Sequence, residues 1–235
     1  MGIHSKVWGQ YLWRLLHCLT YSYNPKLSSE IKAKYIRLFH VLKDFIPCPV
    51  CRSHYTSRCN YNPPERNMNS TDQFVIWLSN IHNEVNSGLG KPYVGKKQAD
   101  HMYVKNGKVK FDIRDFVILF RIMTMINYVN FPAVQKFIQL FFDIYPNKGL
   151  SKYAPNSQKN INTIFNNDSL NIWIHNFDSE YSKNKKSNPY LAPTNIPEKI
   201  TIKTKQNNSP YKFSRNSSKI VKNDINEFLK RYNII

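Results

Sequence analysis

The chain has 235 residues, of which 41% are hydrophobic and 14% aromatic, so it is long enough to bury at least one core and is not a short disordered peptide. Lys and Arg number 34 against 15 Asp and Glu, and the resulting net charge of +19 would by itself favour a nucleic-acid ligand. However, 28 Asn and few Gly accompany the many Lys, Ile, Tyr and Phe residues, a pattern typical of A/T-rich codons. Nucleic acid is therefore not expected as a partner.

The sequence also gives expectations about location. The most apolar stretch, residues 116–132, is interrupted by Arg121 and Asn127 and falls short of a membrane span. The first residues lack an apolar signal region, and Lys6 breaks the myristoylation pattern. We expect a cytoplasmic protein without a membrane partner.

Three segments of the first ninety residues have apolar residues at spacings of three and four, which predicts amphipathic helices at residues 7–21, 28–45 and 70–89. Residues 48–59 can form a further short helix, which makes four. Pro47 ends the second helix, and Pro49 is tolerated in the first turn of the third. Gly88 and Gly90 stop the fourth.

After Pro92 the pattern changes. Asn106-Gly107 lies between residues 102–104 and 109–111, which predicts a small β-hairpin at a domain boundary. Two apolar helices follow, at residues 113–128 and 133–145, and then an Asn-rich stretch with weaker periodicity. Residues 178–218 are predicted to be a polar, basic loop or linker, and residues 224–232 a short closing helix.

The predicted fold is all-α, with a bundle of four to five helices followed by a smaller, mainly helical accessory domain and a short β-hairpin near the boundary. The expected divisions are residues 1–103, 104–177 and 178–235. The basic linker has three interpretations, in this order of preference: a solvated spacer, a docking strip for an acidic partner, or a nucleic-acid contact.

The four cysteines, Cys18, Cys48, Cys51 and Cys59, are too few for a disulfide scaffold in a chain of this length. Cys48 and Cys51 form a CxxC pair where one helix stops and the next starts. The free N–H groups of a helix N-terminus favour thiolate, so this pair is suited to cycling between dithiol and disulfide. The alternative is a zinc site in which His54 and Cys59 complete the ligand set.

Two more segments carry unusual polar and aromatic residues: Trp8–His17 reads WGQYLWRLLH and His82–Pro92 reads HNEVNSGLGKP. Together with the CxxC pair, they resemble the Erv/ALR-type FAD-dependent sulfhydryl oxidases, which show WGxxxWxxLH, CxxC and HNxVNxxLGKP in this order. The resemblance covers residues 5–103. The form CPxCRxH is similar to that of large cytoplasmic DNA viruses, so the host cytoplasm, a virus factory or the virion would be the location of a viral protein.

The resemblance implies an FAD-binding helical bundle with thiol oxidase activity. Cys51 takes the position beside the flavin, where its thiolate makes a charge-transfer contact and attacks the ring, and Cys48 exchanges with the substrate dithiol. Electrons then pass to FAD and to O2, giving hydrogen peroxide. The motif positions that line FAD in the family are Trp8, Gly9, Trp13, His17, His82, Asn83, Val85, Asn86 and Lys91. Tyr103 stands where the family commonly has Trp, and His54 is a candidate ring neighbour; no metal site is expected.

Side-chain chemistry is consistent with this assignment. His82 and Asn86 lie four residues apart, so both project from one helix face and need polar partners. A flavin or adenine ring offers hydrogen-bonding edges and a stacking surface together, and Lys91 can approach a diphosphate.

One departure from the family pattern concerns its second disulfide. Many members have a structural cysteine where Ser79 stands, which leaves Cys59 without its expected partner; a bond to Cys18 is the remaining option. We otherwise expect Cys18 to be buried and Cys59 to be exposed.

A further departure concerns the electron route, because neither tail contains a second CxC or CxxC pair. The expected substrates are therefore protein dithiols, either a thioredoxin-like carrier or client proteins oxidised directly, with O2 as acceptor; a homodimer is one option for the assembly. The main alternative function is a zinc-containing interaction or nucleic-acid-binding module. A nicotinamide-dependent reductase is disfavoured because the chain lacks GxGxxG.

Overall fold

The structure, a computed structural model, describes residues 5–127, 129–145 and 149–184. Its first part contains helices α1 (Ser5–Ser22), α2 (Ser29–Phe45), α3 (Pro49–Tyr61), α4 (Thr71–Gly88) and α5 (Lys96–Tyr103), then strands β1 (Val104–Lys105) and β2 (Lys108–Val109). Its second part contains α6 (Ile113–Met123), α7 (Phe131–Ile144), α8 (Gly149–Tyr153), α9 (Pro155–Lys159) and α10 (Asn167–Asn184). Short 3-10 turns lie at Pro64–Asn67 and Ile161–Thr163. The mainly helical prediction is confirmed.

The ends of α1–α4 follow from local capping. Ser28 Oγ accepts the N–H of Ile31 at 3.3 Å, and Ser70 Oγ accepts the N–H of Gln73 at 3.1 Å, so both predicted helix starts are confirmed. Beyond the end of α4, Gly90 adopts φ +66°, a left-handed conformation that glycine reaches without strain.

The first four helices run alternately up and down. The hydroxyl of Thr71, which starts α4, donates to the carbonyl of Tyr23, which follows α1, at 2.8 Å. Trp77 Nε1 donates to the carbonyl of Asn62 at the end of α3, also at 2.8 Å. The starts of α1 and α3 therefore lie at the same end of the bundle as the ends of α2 and α4. This arrangement brings all three sequence motifs toward one end.

The region after α4 differs from the prediction. Residues 96–103 form α5, so Met102 and Tyr103 belong to a helix rather than to a hairpin strand. The hairpin itself is confirmed as two two-residue strands, with Val104 opposite Val109. Asn106 and Gly107 have φ values of 52° and 69°, as a tight turn of this type requires.

Two of the C-terminal helices also differ from the prediction. Helix α6 ends at Met123 rather than near residue 128. Helix α10 spans 18 residues where only weak periodicity was recognised, and it includes residues 178–184 of the predicted linker. The rest of that linker and the predicted helix at residues 224–232 lie outside the described residues.

One continuous hydrophobic core joins the two parts of the chain. Helix α7 packs along α2, and α6 packs along α1. Phe45 at the end of α2 stacks on Phe137 of α7 with ring centroids 4.2 Å apart. Arg14 and Asp115 add a salt bridge of 2.8 Å between α1 and α6. The C-terminal helices therefore cover the faces of α1 and α2 that the other N-terminal helices leave open; the division into domains near residue 103 remains a prediction.

Within the described part of the chain, no helix combines the length and the apolar character that crossing a membrane needs.

The shared core leads to a stability prediction. Phe137→Ala should lower the free energy of unfolding by about 3 kcal/mol or more, because it removes a fully buried ring and leaves a cavity against Phe45. Circular dichroism and tryptophan fluorescence should report one coincident, shifted urea transition. Phe165→Ala is the control, because this ring is 69% exposed and its loss should change stability by no more than about 0.5 kcal/mol. Two separate transitions in the wild-type protein would contradict a single cooperative core.

Candidate active site

Cys48 and Cys51 form a disulfide at the start of α3, with Cα atoms 5.2 Å apart. Pro47 ends the preceding segment and Pro49 occupies the first turn, so Cys48 is the N-cap residue. Its Sγ accepts the N–H of Cys51 at 3.2 Å. Both cysteines are half-buried. The expected position of the pair at a helix N-terminus is confirmed, and the capping contact would stabilise a thiolate at Cys48 after reduction.

A second cluster joins α1, α4 and α5 through aromatic and imidazole rings. His82 stacks on Trp13 with centroids 4.1 Å apart and an interplanar angle of 7°. His17 stacks on Tyr103 with centroids 4.5 Å apart. The two histidines meet directly, since His17 Nε2 lies 3.0 Å from His82 Nδ1. We call Trp13, His17, His82 and Tyr103 the ring cluster.

Burial keeps both histidines of the ring cluster neutral. Desolvation, with a smaller effect of the neighbouring His82, lowers the pKa of His17 to about 3. Desolvation and the charge of Lys91 lower the pKa of His82 to about 4. At neutral pH the 3.0 Å contact is therefore a hydrogen bond between two uncharged imidazoles, in which one ring donates and the other accepts.

The segment that follows α4 is held in place by two asparagines. Asn83 Nδ2 donates to the carbonyl of Val94 at 3.0 Å, and Asn83 Oδ1 accepts the N–H of Val94 at 2.9 Å. The carbonyl of Asn86 accepts the N–H of Lys91 at 2.8 Å. Lys91 is exposed, and its ammonium group makes no ion pair with other described residues, so it can meet an anionic group. The structure thus gives Asn83 a loop-fixing contact that the sequence did not reveal.

The other predicted site residues have varied environments. Trp8 and Gly9 are buried near the start of α1, and Val85 is half-buried on α4. His54 is exposed on α3 and has no hydrogen bond or ring contact with other described residues. Its role as a ring neighbour therefore remains a prediction.

The two remaining cysteines are free and buried. Burial of Cys18 was predicted correctly; its Sγ donates to the carbonyl of Lys110 at 3.4 Å. The expected exposure of Cys59 is wrong, because its side chain is fully buried in the core beside Tyr55. Burial raises the pKa of both thiols, to about 12 for Cys18.

This placement also bears on the zinc alternative. Cys48 and Cys51 are disulfide-bonded, His54 is exposed and Cys59 is buried, so the four candidate ligands do not converge. No metal-competent cluster of three His, Cys, Asp or Glu side chains occurs among residues 5–127, 129–145 and 149–184.

The polar contacts that hold α5, the helix that ends at Tyr103, were not predicted from the sequence. The hydroxyl of Tyr21 donates to Asp100 Oδ1 at 2.7 Å, and Lys96 forms salt bridges with Asp100 and Asp72. These contacts anchor α5 to α1 and α4. The signal was the four-residue spacing of Lys96 and Asp100, which is typical of a helix.

Comparisons with known proteins find similarity in the part of the chain that contains these residues. The model of the Erv1 / Alr family matches residues 10–105. An FAD-linked sulfhydryl oxidase of Invertebrate iridescent virus 3 is 30% identical over 115 residues, covering 48% of this chain and 73% of the relative. One of African swine fever virus is 25% identical over 112 residues, covering 47% of this chain and 92% of the relative. FAD-linked sulfhydryl oxidase ERV1 of Arabidopsis thaliana is 32% identical over 83 residues, covering 35% and 42%.

The chain belongs to the Erv1/Alr family. The similarity is concentrated in the first half of the chain, and α6–α10 lie beyond the residues that the family model matches. No solved structure matches the chain.

The ring cluster fits the flavin cofactor expected of this family. His17 Nδ1 is buried and has no partner among the described residues, whichever tautomer the ring adopts. Asn86 is 7% exposed, and its side-chain amide makes no hydrogen bond with other described residues. Trp13 is half-buried and offers a stacking face. Unpaired polar atoms beside aromatic rings are the groups that a flavin or adenine edge would satisfy.

The lowered histidine pKa values predict acid sensitivity. Unfolded histidines titrate near pH 6.5, so as the pH falls from 6.5 toward 4 the unfolded chain binds protons that the folded chain does not. The free energy of unfolding should fall by about 2 kcal/mol or more between pH 6.5 and 5.

The control is the double variant His17→Asn/His82→Asn, measured by urea unfolding across the same pH range. Asp115, whose pKa burial raises to about 6, contributes the opposite slope in both proteins, so the difference between them isolates the histidines. Equal slopes would show that the pair does not carry the acid sensitivity.

Proposed function

We infer that this chain is an FAD-dependent thiol oxidase that makes disulfide bonds. The observation that carries this inference is the Cys48–Cys51 disulfide at the head of α3, at the end of the bundle where α4 finishes. Membership of a family whose relatives are named FAD-linked sulfhydryl oxidases supports it. The zinc alternative is not favoured, because its four candidate ligands do not converge.

The exchange step uses only this chain's cysteines and the substrate. A substrate thiolate attacks Cys48 Sγ, the Cys48–Cys51 bond breaks, and Cys51 leaves as a thiolate. The second substrate thiol loses its proton and attacks the substrate sulfur of the mixed disulfide, which releases Cys48. The Cys51 N–H, 3.2 Å from Cys48 Sγ, stabilises Cys48 as leaving group. The substrate loses two electrons, and the pair gains them.

FAD, when bound, accepts this electron pair and passes it to O2 to give hydrogen peroxide. We propose that the ring cluster, with Asn86 and buried Trp8, holds the ring systems by stacking and hydrogen bonding, and that Lys91 meets the diphosphate. Gly9, Asn83 and Val85 then complete the wall of the site. Neutral His17 and His82 can each accept or donate one hydrogen bond without adding charge near the flavin.

The substrates and setting are also proposals. We propose that the chain oxidises protein dithiols, a thioredoxin-like carrier or client proteins, directly at Cys48. Two buried free thiols, one with a pKa of about 12, support this direct route over an internal relay. Assembly as a homodimer is a further proposal, and a location in the host cytoplasm, a virus factory or the virion would fit the viral source of two relatives.

The inferred function predicts a yellow protein with flavin absorbance. Purified protein should consume O2 and form hydrogen peroxide when given dithiothreitol, without a nicotinamide cofactor. An oxygen electrode and a peroxide assay measure both. A colourless protein that releases zinc to a chelator would instead support the interaction module.

Replacing Cys48 and replacing Cys51 should have different effects on the protein. Cys48→Ser should abolish turnover but give a long-wavelength absorbance band, because the Cys51 thiolate can donate charge to bound FAD. Cys51→Ser should lack the band and should trap a substrate dithiol as a mixed disulfide on Cys48. Cys18→Ala and Cys59→Ala are matched controls that should stay within a few fold of wild type. A band in the Cys51 variant would reverse the two roles, and loss of turnover in either control would indicate a second redox pair.

A further inference from the structure

A groove of about 470 Å³ lies beside the disulfide, between the end of α2 and one face of α3. We propose that this groove binds a short, extended and acidic segment of the protein substrate, next to its reactive cysteine. The proposal rests on the inferred oxidase function and names the substrate feature that the enzyme recognises.

The groove is built from a helical stripe on α3. Ser53, Thr56, Ser57 and Asn60 recur at spacings of three and four, so they share one face, and this face starts at Pro49. From Pro49 to Asn60 the helix rises about 16 Å, at roughly 1.5 Å per residue. An extended chain covers about 3.3 Å per residue, so the groove accommodates about five substrate residues.

The position of the groove follows the needs of thiol exchange. The substrate sulfur must touch Cys48 Sγ, so the residues next to that sulfur must cross the adjoining surface. Pro49 lies in the groove wall and between the two cysteines, which places one end of the groove at the disulfide. Cys51 is nine residues before Asn60, about half a turn round the helix from that residue. Cys51 therefore projects from the side of α3 opposite this stripe. Cys48 directly precedes Pro49 of the groove wall, so its sulfur is the one assigned to attack by the substrate.

Charge selects the substrate segment. Lys43 and Arg52 line the groove, and neither forms a salt bridge within the described part of the chain. Lys43 Nζ donates to Asn60 Oδ1 at 2.7 Å, and Arg52 Nη1 donates to the carbonyl of Asp44 at 3.5 Å, so both cations keep free donors. Two cations and one carboxylate, that of Asp44, line the groove, while Glu65 interacts with Lys43 from outside the lining. The excess positive charge of the lining favours an acidic segment.

The hydroxyl side chains supply the contacts for a peptide main chain. Ser53, Thr56 and Ser57 make no side-chain hydrogen bond with other described residues. Each hydroxyl can donate one and accept two hydrogen bonds, which suits the alternating N–H and C=O groups of an extended segment. The hydroxyl groups therefore bind the main chain of the substrate segment, and the cations favour acidic side chains on that segment.

The test uses synthetic dithiol peptides with the same cysteine pair and five following residues that are either acidic or lysine-rich. Wild type should show a kcat/KM about tenfold higher for the acidic peptide, and about 0.5 M salt should remove most of this preference. In Lys43→Glu/Arg52→Glu the preference should vanish or invert. Ser53→Trp, which fills the groove, should lower the kcat/KM for both peptides about tenfold relative to that for dithiothreitol.

Dithiothreitol is too short to extend from the disulfide along the groove. Its oxidation therefore tests the inferred oxidase function separately from the groove proposal. Lys159→Glu on α9 is the charge-reversal control and should keep the wild-type peptide preference. If wild type fails to oxidise dithiothreitol, the inferred oxidase function is wrong. If it oxidises dithiothreitol but treats both peptides alike, or if Lys159→Glu changes the preference as much as the groove variant, the groove proposal is overturned.

Discussion

The capping contact from the Cys51 N–H to Cys48 Sγ is the point at which the fold and the chemistry meet. Pro47 and Pro49 bracket Cys48, so the chain ends α2 and starts α3 within a few residues and places a sulfur at the positive end of a helix. That position depends on where α2 ends. Phe45, the last residue of α2, is fixed by stacking on Phe137, so the C-terminal helices support the disulfide from outside the family region.

The ring cluster buries two imidazoles and leaves a polar atom that a ligand could bind. Two imidazoles enter the core as neutral groups and satisfy one nitrogen of each through their mutual hydrogen bond. Stacking on Trp13 and Tyr103 fixes the planes of both rings. His17 Nδ1 is buried and has no partner among the described residues, and an unpaired buried polar atom costs about 1–3 kcal/mol. A site that binds a ligand through that atom recovers this cost on binding, which is a physical reason for the arrangement.

Local patterns were enough to predict α1–α4 and the hairpin turn, because capping residues, prolines and apolar spacing all act within a few residues. They failed where structure depends on distant contacts. Helix α5 has eight residues and no side-chain cap, and it is held by the bond from Tyr21 to Asp100. Helix α10 is Asn-rich, and its apolar stripe is buried only because it packs on α6.

The candidate site shows the same division. The motifs identified Cys48, Cys51 and the rings of the cluster, whereas the bond from Asn83 to Val94 needs the return of the chain after α4. The burial of Cys59 was missed for a related reason. Its neighbours Arg58 and Asn60 are polar, and helical periodicity, not adjacent residues, decides which side chain faces the core.

The different environments of the four cysteines are a physical reason why redox chemistry would stay at a single pair. Thiolate is the reactive form, and its population depends on solvation and nearby charge. Cys18 is buried beside Asp115, and both desolvation and this carboxylate raise its pKa to about 12. Cys59 is desolvated in the core, so its pKa is raised as well. Cys48 and Cys51 are instead half-buried at the start of a helix, and Cys48 has a backbone donor, so thiolate chemistry is favoured at this pair over the two buried thiols.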